Sequence, residues 1–517
     1  MYPGDFANAD AMRRAIVIAE SGEVVTYSQI HQRAVKLSNL LIDRGLKPGD
    51  HVAFCLENHP QFMEVVWGCH YAGLVYTACS SRLTSGELGY IINDCGAKAF
   101  ITSAYKSEQA LEVLHLIPGV TTKMVIGPDL PGFDSYEDCV NASSDSVRSE
   151  MLDGVDMLYS SGTTGKPKGV EKALPNTPIG TAPGLSYFAE TFFGFTKDVV
   201  YLSPGPLYHA SPLRFNMACH AIGATTIQMN EFDAEEFLAN IERYKVTHTC
   251  VVPTMFVRIL KLDKSIREKY DLSSLQCVIH AAAPCPIEIK KQMISWFGKI
   301  IHEFYAGTEG NGLVYCDSEQ WLQHPGTVGV PVTAKVHVCE ENGDEVPMGE
   351  TGLIYFEGGD DFRYHNDPNK TAECRDPKGR GWTTLGDLGH MDSDGFLYLT
   401  DRKSFVIISG GVNIYPQESE DILLGHSKVL DAAVFGIPNE EFGEEVKAVV
   451  QPILMPTTPA EMKLLEQELI EECRRHLAKH KCPRSIDFRM ELPRHATGKL
   501  YKRLLKDEYW KIAGRNI

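Results

Sequence analysis

Along the first hundred residues, short apolar runs alternate with longer stretches whose apolar positions recur at helical spacing. Ala15–Ala19 is the first run and predicts a strand. Thr26, followed three positions later by Gln29, is a capping-box signature, in which each side chain satisfies a free N–H at the start of a helix. Ile30, Ala34, Leu37 and Leu41 then fall on one helical face, and Gly45 is placed to end it. A strand at His51–Leu56, a helix over Gln61–Tyr71, a strand at Val75–Cys79, a helix near Glu87–Asn93 and a strand at Ala99–Thr102 continue the series. Strand and helix alternating over short connections predict a mostly parallel sheet with helices on both faces.

From Ser135 to Asp153 the chain turns polar and acidic, which predicts a surface connection into a strand at Asp156–Ser160. The alternation resumes with a helix at Phe232–Arg243, a strand at Thr247–Val252, a helix at Pro253–Leu262 and a buried strand at Cys277–Ala281. Ligands of parallel sheets gather at the carboxyl ends of strands, so the residues after Ala281 are candidates. Beyond about Gly326, short glycine-punctuated strands (Lys335–Cys339, Gly352–Phe356, Trp382–Thr384, Phe396–Leu399) suggest a small antiparallel or barrel-like unit. After Arg402, strands at Phe405–Ile408, Ala432–Ile437 and Val446–Pro452 and a charged helix at Pro459–Ala478 read as a separate small domain. The expected fold is α/β. Residues 1–401 form a large domain of parallel, helix-covered sheets with a barrel-like part at about 327–400, and 402–517 a smaller, mobile α+β domain.

A chain of 517 residues exceeds the roughly 250 to 300 at which single cores stop growing, so two or three folding units are expected. A net charge of -18 argues against a nucleic-acid partner, whose footprint would be a basic face. The fourteen cysteines are scattered without a C-x-x-C pair or a metal-ligand rhythm and read as free thiols of a reducing compartment. No stretch reaches about 18 apolar residues and the N-terminus lacks a basic segment before an apolar run. These features predict a soluble cytoplasmic protein without integral membrane contact; a homodimer is left open.

One stretch concentrates chemistry. Tyr159-Ser-Ser-Gly-Thr-Thr-Gly-Lys-Pro-Lys-Gly-Val170 packs glycines, hydroxyls and two lysines together, so that backbone N–H groups, hydroxyls and ammonium charges can surround an anion. A polar turn is the usual reading of such composition. Lys166 and Lys168, flanked by apolar Met157 and Leu158, favour a phosphate cradle. It is not the common nucleotide loop, because only Thr163 and Thr164 separate Gly162 from Gly165 and Pro167 follows Lys166.

Further stretches follow in fixed order: Pro206-Leu-Tyr-His209, Ala281-Ala-Ala-Pro284, Tyr305-Ala-Gly-Thr-Glu309, Gly381-Trp-Thr-Thr-Leu-Gly-Asp387, Asp401-Arg402, Ser409-Gly-Gly411 and Pro493-Arg-His-Ala-Thr-Gly-Lys499. Together with the cradle they resemble the AMP-forming acyl-CoA synthetases of the adenylate-forming superfamily. The resemblance implies an enzyme that joins a carboxylate to the α-phosphate of ATP, expels pyrophosphate, and then lets the thiol of coenzyme A displace AMP.

It also implies roles. Ser160, Ser161, Gly162, Thr163, Thr164, Gly165, Lys166 and Lys168 would hold the β and γ phosphates. Glu309 beside Thr308 would carry Mg2+, which takes one or two protein carboxylates. Tyr305 would lie on the adenine, with Ala282, Ala283 and Pro284 as the opposite wall and Glu303, Phe304 and Ala306 alongside. Asp387 would accept both ribose hydroxyls, Arg402 would be a second ribose or phosphate contact, and Lys499 would reach the α-phosphate. Ser409, Gly410 and Gly411 would line the coenzyme A channel, and His209 would gate it. Taken alone, Glu309 and Arg402 could be surface charges, His209 and Tyr305 core residues, and Lys499 part of a basic tail.

The chain departs from the family pattern at Ser404 and Phe405 after the hinge arginine, at Leu385 before Gly386-Asp387, and at Ala306. Candidate lining residues Tyr208, His209, Ala210, Pro212, Leu213, Phe215, His280 and Ala306 are mostly apolar and uncharged, which favours a fatty, aryl or polycyclic acid. Loading of a separate carrier protein, a luciferase-like oxygenation and a non-catalytic nucleotide sensor remain as alternatives.

Overall fold

The computed structural model describes residues 1–148, 151–160, 167–181, 185–494 and 500–512. They divide into two compact units, the first made of Met1–Cys250, Lys269–Ile279 and Asp361–Ala372, the second of Val251–Glu268, His280–Asp360 and Glu373–Ile517. The boundary expected at 401/402 falls inside the second.

The first unit contains a six-stranded parallel sheet in the order Asp134–Ser135, Thr122–Ile126, Ala99–Ser103, His51–Cys55, Val75–Cys79, Val155–Asp156. Its four inner strands are buried on both faces, and the period of two separates their side chains cleanly. Val52 and Phe54 join one core with Ile30, Leu37 and Val66; Ala53 and Cys55 join another with Leu88, Ile91 and Ile92. Each such large side chain is worth roughly 1.5–3 kcal/mol of burial. Thr26 and Gln29 form the expected box at the head of the helix Tyr27–Asp43. In a second sheet, Arg14–Ile18, Thr225–Gln228, Val200–Ser203 and His248–Val251 run parallel, with Val24–Thr26 antiparallel at the edge.

The second unit holds three antiparallel strands, Ile301–Ala306, Leu313–Cys316 and Val330–Pro331. It also holds an antiparallel sheet of Lys335–Cys339, Gly352–Glu357, Thr383–Met391 and Leu397–Arg402. Its last sheet runs Val412–Ile414, Ile407–Ser409, Gly443–Pro452, Val429–Asn439, with Ser485–Phe488 parallel to Gly443–Pro452. The helices Pro416–Gly425 and Pro459–His476 add Leu423, Leu469 and Cys473 to its core.

Several expectations need correction. The polar segment after Ser135 includes a helix, Tyr136–Ala142, capped by the Ser135 side chain. Tyr136 and Val140, one helical turn apart, are buried, and the Tyr136 hydroxyl donates to Glu64 Oε1 at 2.6 Å. Two apolar residues among many polar ones anchor the turn, which composition alone conceals. The strand expected at Asp156–Ser160 is two fragments: Val155–Asp156 pairs with Val75–Cys79, whereas Tyr159–Ser160 leaves that sheet to pair with Lys168–Glu171. The glycine-rich unit is an open four-stranded sheet with Lys335–Cys339 and Leu397–Arg402 at its ends. The strand expected from Phe405 begins at Ile407, because Lys403–Phe405 is a tight 3-10 turn. All fourteen cysteines are free, as expected.

Candidate active site

In the first unit, the two ends of the glycine-rich stretch are clamped together. Ser160 pairs with Lys168 and Tyr159 with Gly169, antiparallel, and Arg363–Tyr364 extends the small sheet on the far side of Lys168–Glu171. Gly169 lets the strands close tightly, since a Cβ would sit 3.0 Å from the ring of Tyr159. That ring is fixed in turn by its hydroxyl, which donates to Asp94 Oδ2 at 2.5 Å. Lys168 is nearly buried and its Nζ lies 3.1 Å from Asp367 Oδ2. Ser161, Gly162, Thr163, Thr164, Gly165 and Lys166 lie outside the described residues.

Just before the clamp, Asp156 is buried with Arg214 at 2.7 Å and Lys172 at 3.8 Å. Burial pushes its carboxyl upward, but the two cations outweigh it and hold the group well below the usual carboxylate range. His209 immediately precedes the helix Ala210–Ile222, its ring edge-on to Tyr208 at 4.6 Å. Phe215, expected to line the acyl tunnel, packs within an aromatic cluster with Phe193, Phe195 and Tyr201.

The second unit brings together residues far apart in sequence. The Tyr305 hydroxyl donates to Asp387 Oδ2 at 2.6 Å, and Arg402 Nε lies 3.2 Å from Asp387 Oδ1. Two adjacent strands make this meeting unavoidable, because Asp387 and Arg402 are partners in the antiparallel register. Gly386, at φ +82°, takes the left-handed turn just before Asp387 that a side chain would resist. Burial, and next the Asp387 charge, push the Tyr305 phenol well up; the Asp387 carboxylate likewise strengthens the hold of Arg402 on its proton. Glu309 is buried, and its charge acts on both Tyr305 and Arg402. Gly307 makes room for it: a Cβ there would lie 2.6 Å from Glu309 Oε2. Thr308 is half-buried beside it.

Ala281 ends in the core, whereas Ala282, Ala283 and Pro284 are exposed, with Ala282 in the left-handed region at φ +75°. Ala306 is exposed and Phe304 half-buried. Glu303 is engaged elsewhere, since its carboxylate meets the fully buried Lys290 and lies 3.4 Å from His280 Nε2. Burial holds His280 well below its ordinary value, so its imidazole is neutral. Nothing in the sequence marks Lys290 as the partner of Glu303, nor Asp367 as the partner of Lys168; both are ordinary charged residues brought in by folding.

Ser409, Gly410 and Gly411 form the tip of a tight hairpin in which Ser409 pairs with Val412. Both glycines have positive φ, +58° and +79°, as a two-residue primed turn requires. Asp401 accepts from the backbone N–H of Gln417 at 3.1 Å, capping the helix Pro416–Gly425 from the preceding strand. Lys499 lies outside the described residues.

Within the second unit the arrangement offers acceptors for ligand hydroxyls. Asp387 has acceptor capacity left beyond Tyr305 and Arg402, and the oxygen chemistry and burial of Glu309 suit a hard divalent cation. Among the described residues, no group of three or more His, Cys, Asp or Glu is gathered as a metal cage. No helix among them is long and apolar enough to cross a membrane.

The family described as AMP-binding enzyme matches residues 5–362, and that described as AMP-binding enzyme C-terminal domain matches 418–499. The chain is 32% identical over 506 residues to a feruloyl-CoA synthase of Amycolatopsis sp, with 94% of each chain covered. It is 30% identical over 512 residues to the 3-[(3aS,4S,7aS)-7a-methyl-1,5-dioxo-octahydro-1H-inden-4-yl]propanoyl:CoA ligase of Rhodococcus jostii, with 95% of each covered. Among solved structures it is similar to ATP-bound MatB from Rhodopseudomonas palustris, with a TM-score of 0.80 and 28% identity over 99% of this chain and 100% of that one.

Proposed function

Because the chain belongs to the AMP-binding enzyme family, we propose that it activates a hydrophobic carboxylic acid as an acyl-adenylate and transfers the acyl group to coenzyme A. The observation that carries this reading is the Tyr305–Asp387–Arg402 contact chain with Glu309 buried beside it. It joins an aromatic face, an acceptor for hydroxyls and a carboxylate suited to a hard cation.

In the first step a carboxylate oxygen attacks the α-phosphorus of ATP, and the bond to pyrophosphate breaks. Both partners are anions, so catalysis rests on positioning and on cations aimed at the charge that develops. Lys166 and Lys168, with Thr163 and Thr164, hold the departing phosphates. Ser160, Ser161, Gly162 and Gly165 shape the loop. Tyr305 and the exposed Ala282, Ala283 and Pro284 take the adenine, Asp387 accepts from the ribose, and Arg402 supports Asp387. Lys499 neutralises the α-phosphate and the incoming carboxylate. Glu309 would hold Mg2+, which supplies charge neutralisation when bound.

In the second step the thiol sulfur of coenzyme A attacks the acyl carbon and the bond to AMP breaks. The bare tip at Gly410 and Gly411 leaves room for the pantetheine arm, and His209 stands at the gate. The relatives named above are a feruloyl and a polycyclic propanoyl ligase, so ring-bearing acids head the substrate panel.

Acid-dependent ATP–pyrophosphate exchange tests the first step, and acyl-CoA detected by mass tests the second. Absence of exchange with every acid of the panel would sink the ligase reading in favour of a nucleotide sensor. AMP release without thioester would sink coenzyme A as acceptor.

A further inference from the structure

Lys290 is fully buried, and its ammonium meets the Glu303 carboxylate and lies 4.9 Å from the centroid of the Trp321 ring. His280, equally buried, brings Nε2 to 3.4 Å from the same carboxylate oxygen. Taking a lysine and a glutamate out of water can cost more than their attraction returns, and apolar residues of similar volume are often as stable or more so. Stability is therefore a weak reason for the pair to be here. What the pair does supply is one geometry, because a departure from it leaves a charge buried alone.

The geometry concerns the segments assigned above to the adenine. His280 immediately precedes Ala281–Pro284, and Lys290 lies on the helix Ile287–Phe297 that follows them. The loop is thus bracketed at both ends by contacts with Glu303. Glu303 sits on the strand Ile301–Ala306, whose pairing with Leu313–Cys316 runs without a shift, so Glu303 and Tyr305 share one face about 7 Å apart. Tyr305 then reaches Asp387 through its hydroxyl. Inside the bracketed loop Ala282 holds φ +75°, a strained conformation that persists only where the surroundings over-determine it. Contacts on both flanks of the loop do so.

We propose that Lys290 is a positioning residue for the nucleotide: through Glu303 and His280 it sets the spacing between the Ala282–Pro284 wall and the Tyr305 ring, and with it the affinity for the adenine of ATP. The inference rests on the ligase reading and adds to it a residue that touches neither substrate. A planar base gains contact energy only about 3.5–4 Å from each surface, and a gap wider by about 0.5–1 Å forfeits a quarter to a half of it.

The test uses the full chain, ATP–pyrophosphate exchange and an acid that the wild type accepts. Lys290→Met combined with Glu303→Leu removes both charges together, so its melting temperature should stay within a few degrees of wild type. Its KM for ATP should rise at least fivefold and its Ki for AMP should rise with it, while Ki for pyrophosphate and KM for the acid change less than twofold. Lys290→Met alone leaves the Glu303 charge unpaired and should lower the melting temperature as well. Glu303→Gln keeps the shape and can still accept from Lys290; it should raise KM for ATP by a smaller factor, and it carries the test if the double variant does not fold. A folded variant of either kind with KM for ATP and Ki for AMP unchanged would overturn the assignment of Lys290, as would equal rises for ATP and the acid. Absence of exchange by the wild type with every acid would overturn the ligase reading, and this inference with it.

Discussion

Tyr305, Asp387 and Arg402 depend on one another. Asp387 is almost buried, and its two oxygens are shared between a phenol and a guanidinium. Asp387→Ala should raise KM for ATP at least tenfold in pyrophosphate exchange and leave KM for the acid nearly unchanged, because the lost contacts belong to the nucleotide. These residues were legible in the sequence because each sits in a short recognisable motif. Their support was not: Lys290 reaches Glu303 from a helix and Asp367 reaches Lys168 from the loop just before the helix Pro368–Glu373, and no local pattern encodes either pairing. Lys261 shows the same limit. It follows the helix Pro253–Leu260, its Nζ donates to the His426 carbonyl at 3.3 Å, and burial, opposed by Asp431, pulls its pKa down to about 8 from 10.5. Between those values the unfolded chain keeps the proton that the folded one releases, so stability rises with pH from about 8 to 10.5 and this contribution is lost as pH falls through 8. Lys261→Met should therefore raise the melting temperature at pH 7, with the gain shrinking by pH 10.

The elements that position the site were read well wherever hydrophobic period and punctuation agreed. Val75–Cys79 and Lys335–Cys339 match their expected bounds, and the capping box at Thr26 starts the helix it heads. Tyr136–Ala142 escaped because its two anchoring residues are outnumbered by polar neighbours, and Val155–Asp156 and Tyr159–Ser160 read as one strand because sequence does not show a strand changing sheets. The hairpin at Gly410 and Gly411 offers a test at this scale. Gly411→Ala places a Cβ at φ +79°, a strain of roughly 1–2 kcal/mol. On the proposed reading it should slow thioester formation several-fold and spare pyrophosphate exchange, as measured by separate assays of the two half-reactions.

At the scale of the whole molecule, a lysine near the C-terminus is assigned to chemistry whose other residues lie from about ninety to more than three hundred positions earlier. Lys499→Ala should cut pyrophosphate exchange by orders of magnitude while thioester formation from supplied acyl-adenylate persists; equal loss in both would contradict separate use of the two half-sites. The α/β class and the order of motifs were legible because they are written in periodicity and local chemistry. The division into two units was not, since it depends on which distant segments pack together, as when Asp361–Ala372 returns to the first unit. That return brings Asp367 to Lys168. On the proposed reading, the Asp367 carboxylate stands where a phosphate would meet the Lys168 ammonium, so the two would compete for it. A lone anion such as inorganic phosphate would then gain one contact at the expense of another, whereas a polyphosphate with further contacts of its own would displace the tether, so that preference for a longer, multiply charged anion would emerge from competition.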